Sequence, residues 1–228
     1  MNSNKFKLLK KELQLGNTLQ AVIWTLCCFG MYFIPSYPMY VGPFYITLCI
    51  MMSFALNQSS HDILYTALLP VKKSDVVKAR FLYCGMMEIF TFCCALFGAF
   101  IRSLVNFPAN KAGIELTICY FGLQMIVFSV FNLMFLGNVY KDPLKPGLRF
   151  LAAAIGYFVC YAVCEFPVWT YYANAENPVA KIGELFTSHD SQFIIPQLII
   201  LAAGLVIYAV SWWLTFRRAA RQFEKYDL

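Results

Sequence analysis

The residues of this chain point to an all-α, polytopic membrane protein with six transmembrane helices, on three grounds. Only 13% of its 228 residues are charged, about half the roughly 25% of a soluble domain. Hydrophobic residues make up 60%, and the mean hydropathy is +0.61. Charge is also missing from whole stretches: 13–61, 116–140, 150–164 and 191–216 carry none, and 81–101 carry only Glu88. Such runs meet the requirement of about 20 apolar residues to cross about 30 Å of hydrocarbon. Residues 1–228 read as one transmembrane domain, and six spans leave too little chain for a soluble catalytic domain.

The first element expected is an amphipathic helix over 4–15. In Lys5-Phe6-Lys7-Leu8-Leu9-Lys10-Lys11-Glu12-Leu13, residues Phe6, Leu9 and Leu13 share a stripe with lysines around it. That pattern suits a helix lying in the interface, apolar face down and ammonium groups among anionic lipid headgroups. A simple basic flank of the first span is the alternative. No small-residue cleavage site follows, so a removable signal peptide is not expected. Spans are placed near 18–36, 41–57, 79–101, 113–138, 148–171 and 192–216. The prolines and glycine of Ile34-Pro35-Ser36-Tyr37-Pro38-Met39-Tyr40-Val41-Gly42-Pro43 divide the first two, and its tyrosines suit the membrane interface.

Topology follows from the basic residues. With alternating sides, one side holds the lysines of 5–11, then Lys72, Lys73, Lys78 and Arg80, then Lys141, Lys145 and Arg149, and finally Arg217, Arg218, Arg221 and Lys225. The other holds only Arg102, Lys111 and Lys181. Because cytoplasmic loops retain Lys and Arg, both termini are expected in the cytoplasm and the number of spans is expected to be even. The net charge of +6 is then a topology signal. No nucleic-acid partner is expected, since no basic stretch with interleaved aromatics stands clear of the membrane edges.

The connection over 59–78 carries the most information. Ser59-x-x-Asp62 resembles a capping box, and Ile63-Leu64-Tyr65-Thr66-Ala67-Leu68-Leu69 is halted by Pro70. Seven apolar-rich residues are too few to cross a bilayer and too greasy to stay in water, so they should dock on lipid or on a partner protein. Lys72 and Lys73 then precede Ser74-Asp75, where a serine cap and a first-turn acid favour a helix running into the third span.

This succession, Leu68-Leu69-Pro70-Val71, two basic residues, Ser74-Asp75-Val76-Val77, Lys78 and a span, resembles ABC transporter permeases of the type 2 export class, many of them small bacterial proteins. The chain departs from that pattern at Lys72-Lys73, where relatives commonly show serine and arginine. The resemblance implies a six-span permease whose segment 59–78 holds the coupling helix seated on a separate ABC ATPase. Ile63, Leu64, Tyr65, Leu68, Leu69 and Pro70 would form that contact, flanked by Lys72 and Lys73. It also implies a second permease subunit, a copy or a paralogue, and ATP with Mg on the partner ATPase. This chain has no G-x-x-x-x-G-K-[ST] phosphate loop of its own. The resemblance further suggests short re-entrant helices capping the exit over 171–191; a solvated loop is the plainer reading. The second cytoplasmic connection, 137–147, is turn-rich and reads as a hairpin loop or a smaller partner contact.

Glu88 is the one acid placed well within a span, about 12 Å beyond Arg80 at 1.5 Å per residue. A charge there costs roughly 2.5–3.5 kcal/mol and should face the bundle or water. Ser129 and Asn132 on the fourth span lie at similar depth, so Glu88, Ser129 and Asn132 either line a substrate route or brace two helices. Ala95-x-x-x-Ala99 and Ala152-x-x-x-Gly156 permit close helix approach, within a subunit or between two. The nine cysteines lie almost wholly in apolar runs and act as small hydrophobes, so neither a metal site nor a disulfide framework is expected. With two histidines, His61 and His189, on opposite sides, and no G-x-S-x-G or H-E-x-x-H, an intramembrane enzyme is the weakest reading. A structural or assembly protein without transport activity is the other alternative. The substrate class stays open among amphipathic or antimicrobial peptides, drug-like molecules and lipids.

Overall fold

A computed structural model describes residues 3–60, 71–174 and 176–225, with side chains from Phe6 onward, and among these there are helices and turns but no strands. In chain order the helices are α1 (Ser3–Gly16), α2 (Leu19–Met31), α3 (Val41–Ser59), α4 (Lys73–Leu104), α5 (Ile118–Met134), α6 (Pro146–Ala173), α7 (Ala180–Thr187) and α8 (Ile194–Glu224). Single 3-10 turns sit at Val139–Lys141 and Ser191–Phe193.

Five segments are long and apolar enough to cross a membrane: Val41–Ser59, Lys73–Leu104, Ile118–Lys141, Pro146–Ala173 and Ser191–Glu224. The expected first span, 18–36, is represented by the 13-residue α2, about 20 Å long and short of the roughly 30 Å hydrocarbon core. Thr18 starts that helix by accepting a hydrogen bond from the Ala21 amide at 3.2 Å, an N-cap. The helix ends early because the chain turns through the proline segment, where Ser36 takes φ 55°. The expected second span is a full 19-residue helix.

Two boundaries differ from the sequence expectation. α4 begins at Lys73, with extended Lys72 at its N-cap, so Ser74 lies inside the first turn and does not cap it. Asp75 does sit in that turn, where a carboxylate complements the helix dipole. The fourth helix begins at Ile118, with Thr117 at its N-cap, so residues 113–117 of the expected span are not helical. Their polar groups are taken by other partners, described below.

α5 packs most extensively against α8, and the reason is a glycine on each. A Cβ at Gly122 would lie 2.7 Å from the Ile200 carbonyl oxygen, and one at Gly204 would strike the Gly122 carbonyl. The two backbones touch, the close approach that small residues allow in membranes. Gly204→Ala is therefore expected to destabilise the protein by about 1–3 kcal/mol. Gly30→Ala, on a helix position with open space beside it, is expected to be neutral or stabilising by about 0.4–1 kcal/mol. Thermal unfolding midpoints in detergent check this, and equal midpoints for the two variants would refute it. Of the two small-residue motifs, Gly156 lies against Met134 of α5, so that motif is used within the chain.

α1 turns Leu8, Glu12 and Gly16 into the protein, while Phe6 of the expected apolar stripe is exposed. Elsewhere the outward residues of the long helices are apolar, for example Ile89, Phe97 and Phe100 on α4 and Val206 and Val210 on α8. This is the surface of a multi-pass membrane protein, with lipid in place of water around it.

Candidate functional site

Three groups of buried polar side chains mark α4 along its length: Arg80, Glu88 and Arg102 are at most 8% exposed. Each meets a different set of neighbours.

At the first end, α3 leaves for residues 61–70 and α4 returns from them. Ile63, Leu64, Tyr65, Leu68, Leu69 and Pro70, with His61, lie outside the described residues. Lys72 is exposed at the α4 N-cap and Lys73 is the first residue of the helix. Two turns further in, the Arg80 guanidinium pairs with Glu12 of α1 at 3.0 Å, reaches the Ser53 carbonyl at 3.5 Å and lies 4.7 Å from the Phe54 ring centre. The Asn57 amide, oriented with its oxygen toward Arg80, accepts from the same guanidinium.

At mid-helix, Glu88 meets α5 and α8. Asn132 Nδ2 donates to Glu88 Oε2 at 3.3 Å, and the Tyr208 hydroxyl donates to the same oxygen. Ser129 is not part of this group; its hydroxyl donates to the Met125 carbonyl, one turn back on its own helix, at 2.8 Å. Glu88 Oε1 and Asn132 Oδ1 are buried without hydrogen-bond partners, leaving acceptor capacity for a proton or a water. Tyr208 escaped the sequence reading. Its signal was a phenol near the middle of an uncharged run, away from the interfaces where membrane tyrosines collect.

At the far end, Arg102 is held by an ion pair that sequence reasoning missed. Its Nη2 lies 3.2 Å from Glu115 Oε2 and 3.2 Å from the Pro108 carbonyl, its Nη1 donates to the Tyr32 carbonyl at 3.0 Å, and its charge sits 4.5 Å from the Phe107 ring centre. Glu88 is also not alone as an acid within a span. Glu165 of α6 is fully buried and accepts from the Ile114 amide at 2.9 Å. Gly113 lies so close to that carboxylate that a Cβ would overlap it. Trp169 and Tyr172, next on α6, donate to the Ala112 and Asn110 carbonyls at 3.1 Å each, and Thr117 donates to the Phe186 carbonyl at 2.7 Å. These bonds take the polar groups of the 110–117 segment, which explains why the helix waits until Ile118.

Between the α4 end, this segment and α7 lies a cavity of about 530 Å³ lined by Arg102, Glu115, Phe107, Leu116, Thr187 and His189. Beyond α6 lie the short helix α7 and the 3-10 turn at Ser191–Phe193, and Gln197 fastens α7 and the residue after it by donating to the Leu185 and Ser188 carbonyls at 2.8 Å each. His189, an exposed loop residue just after α7, lines the cavity. Among the described residues no three His, Cys, Asp or Glu side chains converge as metal ligands.

A family model described as ABC-2 family transporter protein matches residues 5–218. No curated protein and no solved structure matches the chain. The matched region takes in all but the first residues of α1, all of the long apolar helices except the end of α8, and all three polar groups on α4. By this near-complete match and by its bundle of membrane-length helices, the chain belongs to the ABC-2 family of transporter proteins.

Proposed function

We propose that the chain is the permease subunit of an ATP-binding-cassette exporter, with residues 59–78 seated on a separate ATPase. ATP and Mg bind to that partner, whose cycle moves this chain between two states by contacting them differently. α2 counts as the sixth membrane segment, entering the bilayer beside α3, and both termini are cytoplasmic. A second permease subunit, identical or paralogous, completes the pathway, and lipid surrounds the rest. The far-end cavity beside Arg102 lies on the exit side.

The observation that supports this reading most is the overshoot of α4 and α8. At 32 and 31 residues they are about 48 and 46 Å long, well beyond the roughly 30 Å hydrocarbon layer. The excess carries Lys73 and Lys78 on one helix and Arg217, Arg218 and Arg221 on the other. Two basic helix ends standing clear of the hydrocarbon, with 61–70 feeding one of them, make a seat for a soluble motor. Glu88, Asn132 and Tyr208 serve within the membrane as a brace across α4, α5 and α8.

Co-expression tests the proposal. The wild-type chain is expected to co-purify with an ATPase containing the phosphate loop, and Leu64→Asp, Tyr65→Asp and Leu68→Asp together are expected to reduce recovery of that ATPase at least about tenfold, since three charges replace apolar contacts at a hot spot. Stable isolation of the wild-type chain with no such partner would favour an assembly protein instead.

A further inference from the structure

The geometry points to Glu12 as a positioning residue in energy coupling: through Arg80 it clamps α1 across the two helices that flank the coupling segment, so that α1 moves with them. This rests on the proposed seating of an ATPase at 59–78. Glu12 is 2% exposed and Arg80 6%, and their contact at 3.0 Å is the centre of a convergence. On α3, Arg80 also engages Ser53, Phe54 and Asn57, the last two turns before the coupling segment. On α4, Arg80 stands two turns after the helix start at Lys73, and one turn deeper the Tyr83 ring fills the space that a side chain at Gly16 of α1 would need. Phe54 in turn meets Tyr140 of the second cytoplasmic connection, and Tyr140 packs on Phe223 of α8, with ring centres 6.1 and 5.1 Å apart. One guanidinium thus sits where α1, α3 and α4 meet, and from its Phe54 partner one aromatic contact leads to the other cytoplasmic connection and a second to α8.

Stability is a poor reason to keep such a pair. A buried ion pair repays its desolvation only barely and is often replaceable by apolar residues, whereas its best attested use is to fix register or to switch. α1 already has Leu8 inside to hold it. What Glu12 adds is a charge-to-charge tie to the one side chain that also grips α3. Only Asn17 and Thr18 separate α1 from α2, so a displacement of α3 and α4 passed to α1 reaches α2 with little slack.

The test uses the complex of this chain with its ATPase in detergent, comparing ADP with ATP plus vanadate. In the wild type, amide exchange over 3–16 is expected to change with nucleotide in step with 53–59 and 73–80. Glu12→Gln is expected to retain the ATPase, to speed exchange of 3–16 at least about tenfold, and to abolish its nucleotide response together with stimulation of ATP turnover by this chain. Glu12→Asp, which keeps a carboxylate facing Arg80 and leaves the Arg80 contacts to α3 untouched, is expected to preserve the response. A bound and stimulated ATPase with Glu12→Gln indistinguishable from wild type would overturn the clamp while leaving the coupling reading intact. So would a Glu12→Asp protein that loses the response as fully as Glu12→Gln, since the charge would then not be what carries it. Failure of the wild type to bind any ATPase would overturn the coupling reading, and the clamp with it.

Discussion

Glu115→Ala is expected to cost about 3–5 kcal/mol, the loss that follows when one member of a buried ion pair is removed. Arg102 has little contact with water: its guanidinium is held by the Phe107 ring, the Tyr32 and Pro108 carbonyls and the Glu115 carboxylate, and it is 8% exposed at the edge of the cavity. Without Glu115 it keeps its neutral acceptors but loses its counter-charge, and the Asn110 amide loses the carboxylate to which it also donates. The damage should spread, because Arg102 ties the end of α4 to the chain just after α2 and Glu115 ties it to the approach to α5. Arg102→Met combined with Glu115→Ala should cost less than Glu115→Ala alone, since it leaves no unpaired charge. The check is the unfolding midpoint in detergent across these variants. A Glu115→Ala protein within about 0.5 kcal/mol of wild type, the range of ordinary surface changes, would show that the pair does not organise this end of the bundle.

Glu88→Ala is expected to have the next largest effect, about 1–3 kcal/mol for each donor left unsatisfied. Both the Asn132 amide and the Tyr208 hydroxyl point at Glu88 Oε2, so removal of the carboxyl orphans two donors on two helices. Glu88→Gln keeps an acceptor oxygen in the same place. If the group is a brace, Glu88→Gln assembles with the ATPase and sustains wild-type ATP turnover, while Glu88→Ala is lost from the membrane or inactive. Loss of turnover in a fully assembled Glu88→Gln complex would place the carboxyl on the substrate route instead. Tyr208→Phe removes one of the two donors and leaves the Glu88 carboxylate bonded to Asn132, so it should fall between the two.

Charge and hydropathy sufficed to locate the long helices, because a bilayer leaves few alternatives for an uncharged run of 20 residues. The end of α2 was misplaced because composition stays apolar through Tyr32 to Ile34 while the backbone has already begun to turn. Residues 113–117 misled for the opposite reason: an apolar stretch with a single acid reads as helix, but Glu165 and Asn110 capture its backbone from outside. Glu88 and Asn132 stood out from sequence by depth, since polar residues in mid-span are few. Their partner Tyr208 did not, because a tyrosine in an apolar helix is unremarkable until its neighbour is known. Arg102, Glu115 and Glu165 sit near the ends of their spans, where charges are common and usually reach water; only the folding of 106–117 and α7 over them makes them interior. Glu12 was hidden among four lysines that dominate the local pattern.

The claim on which the account turns is that the stretch from Ile63 to Leu69 is where an external motor grips this chain. A photoreactive amino acid placed at Leu64 or Leu68 in intact cells addresses it directly. The account predicts an adduct with an ATPase from either position, and none from the same probe at Lys181. Labelling of 64 or 68 by an impermeant reagent outside the cell, or an ATPase adduct forming only elsewhere on the chain, would contradict it.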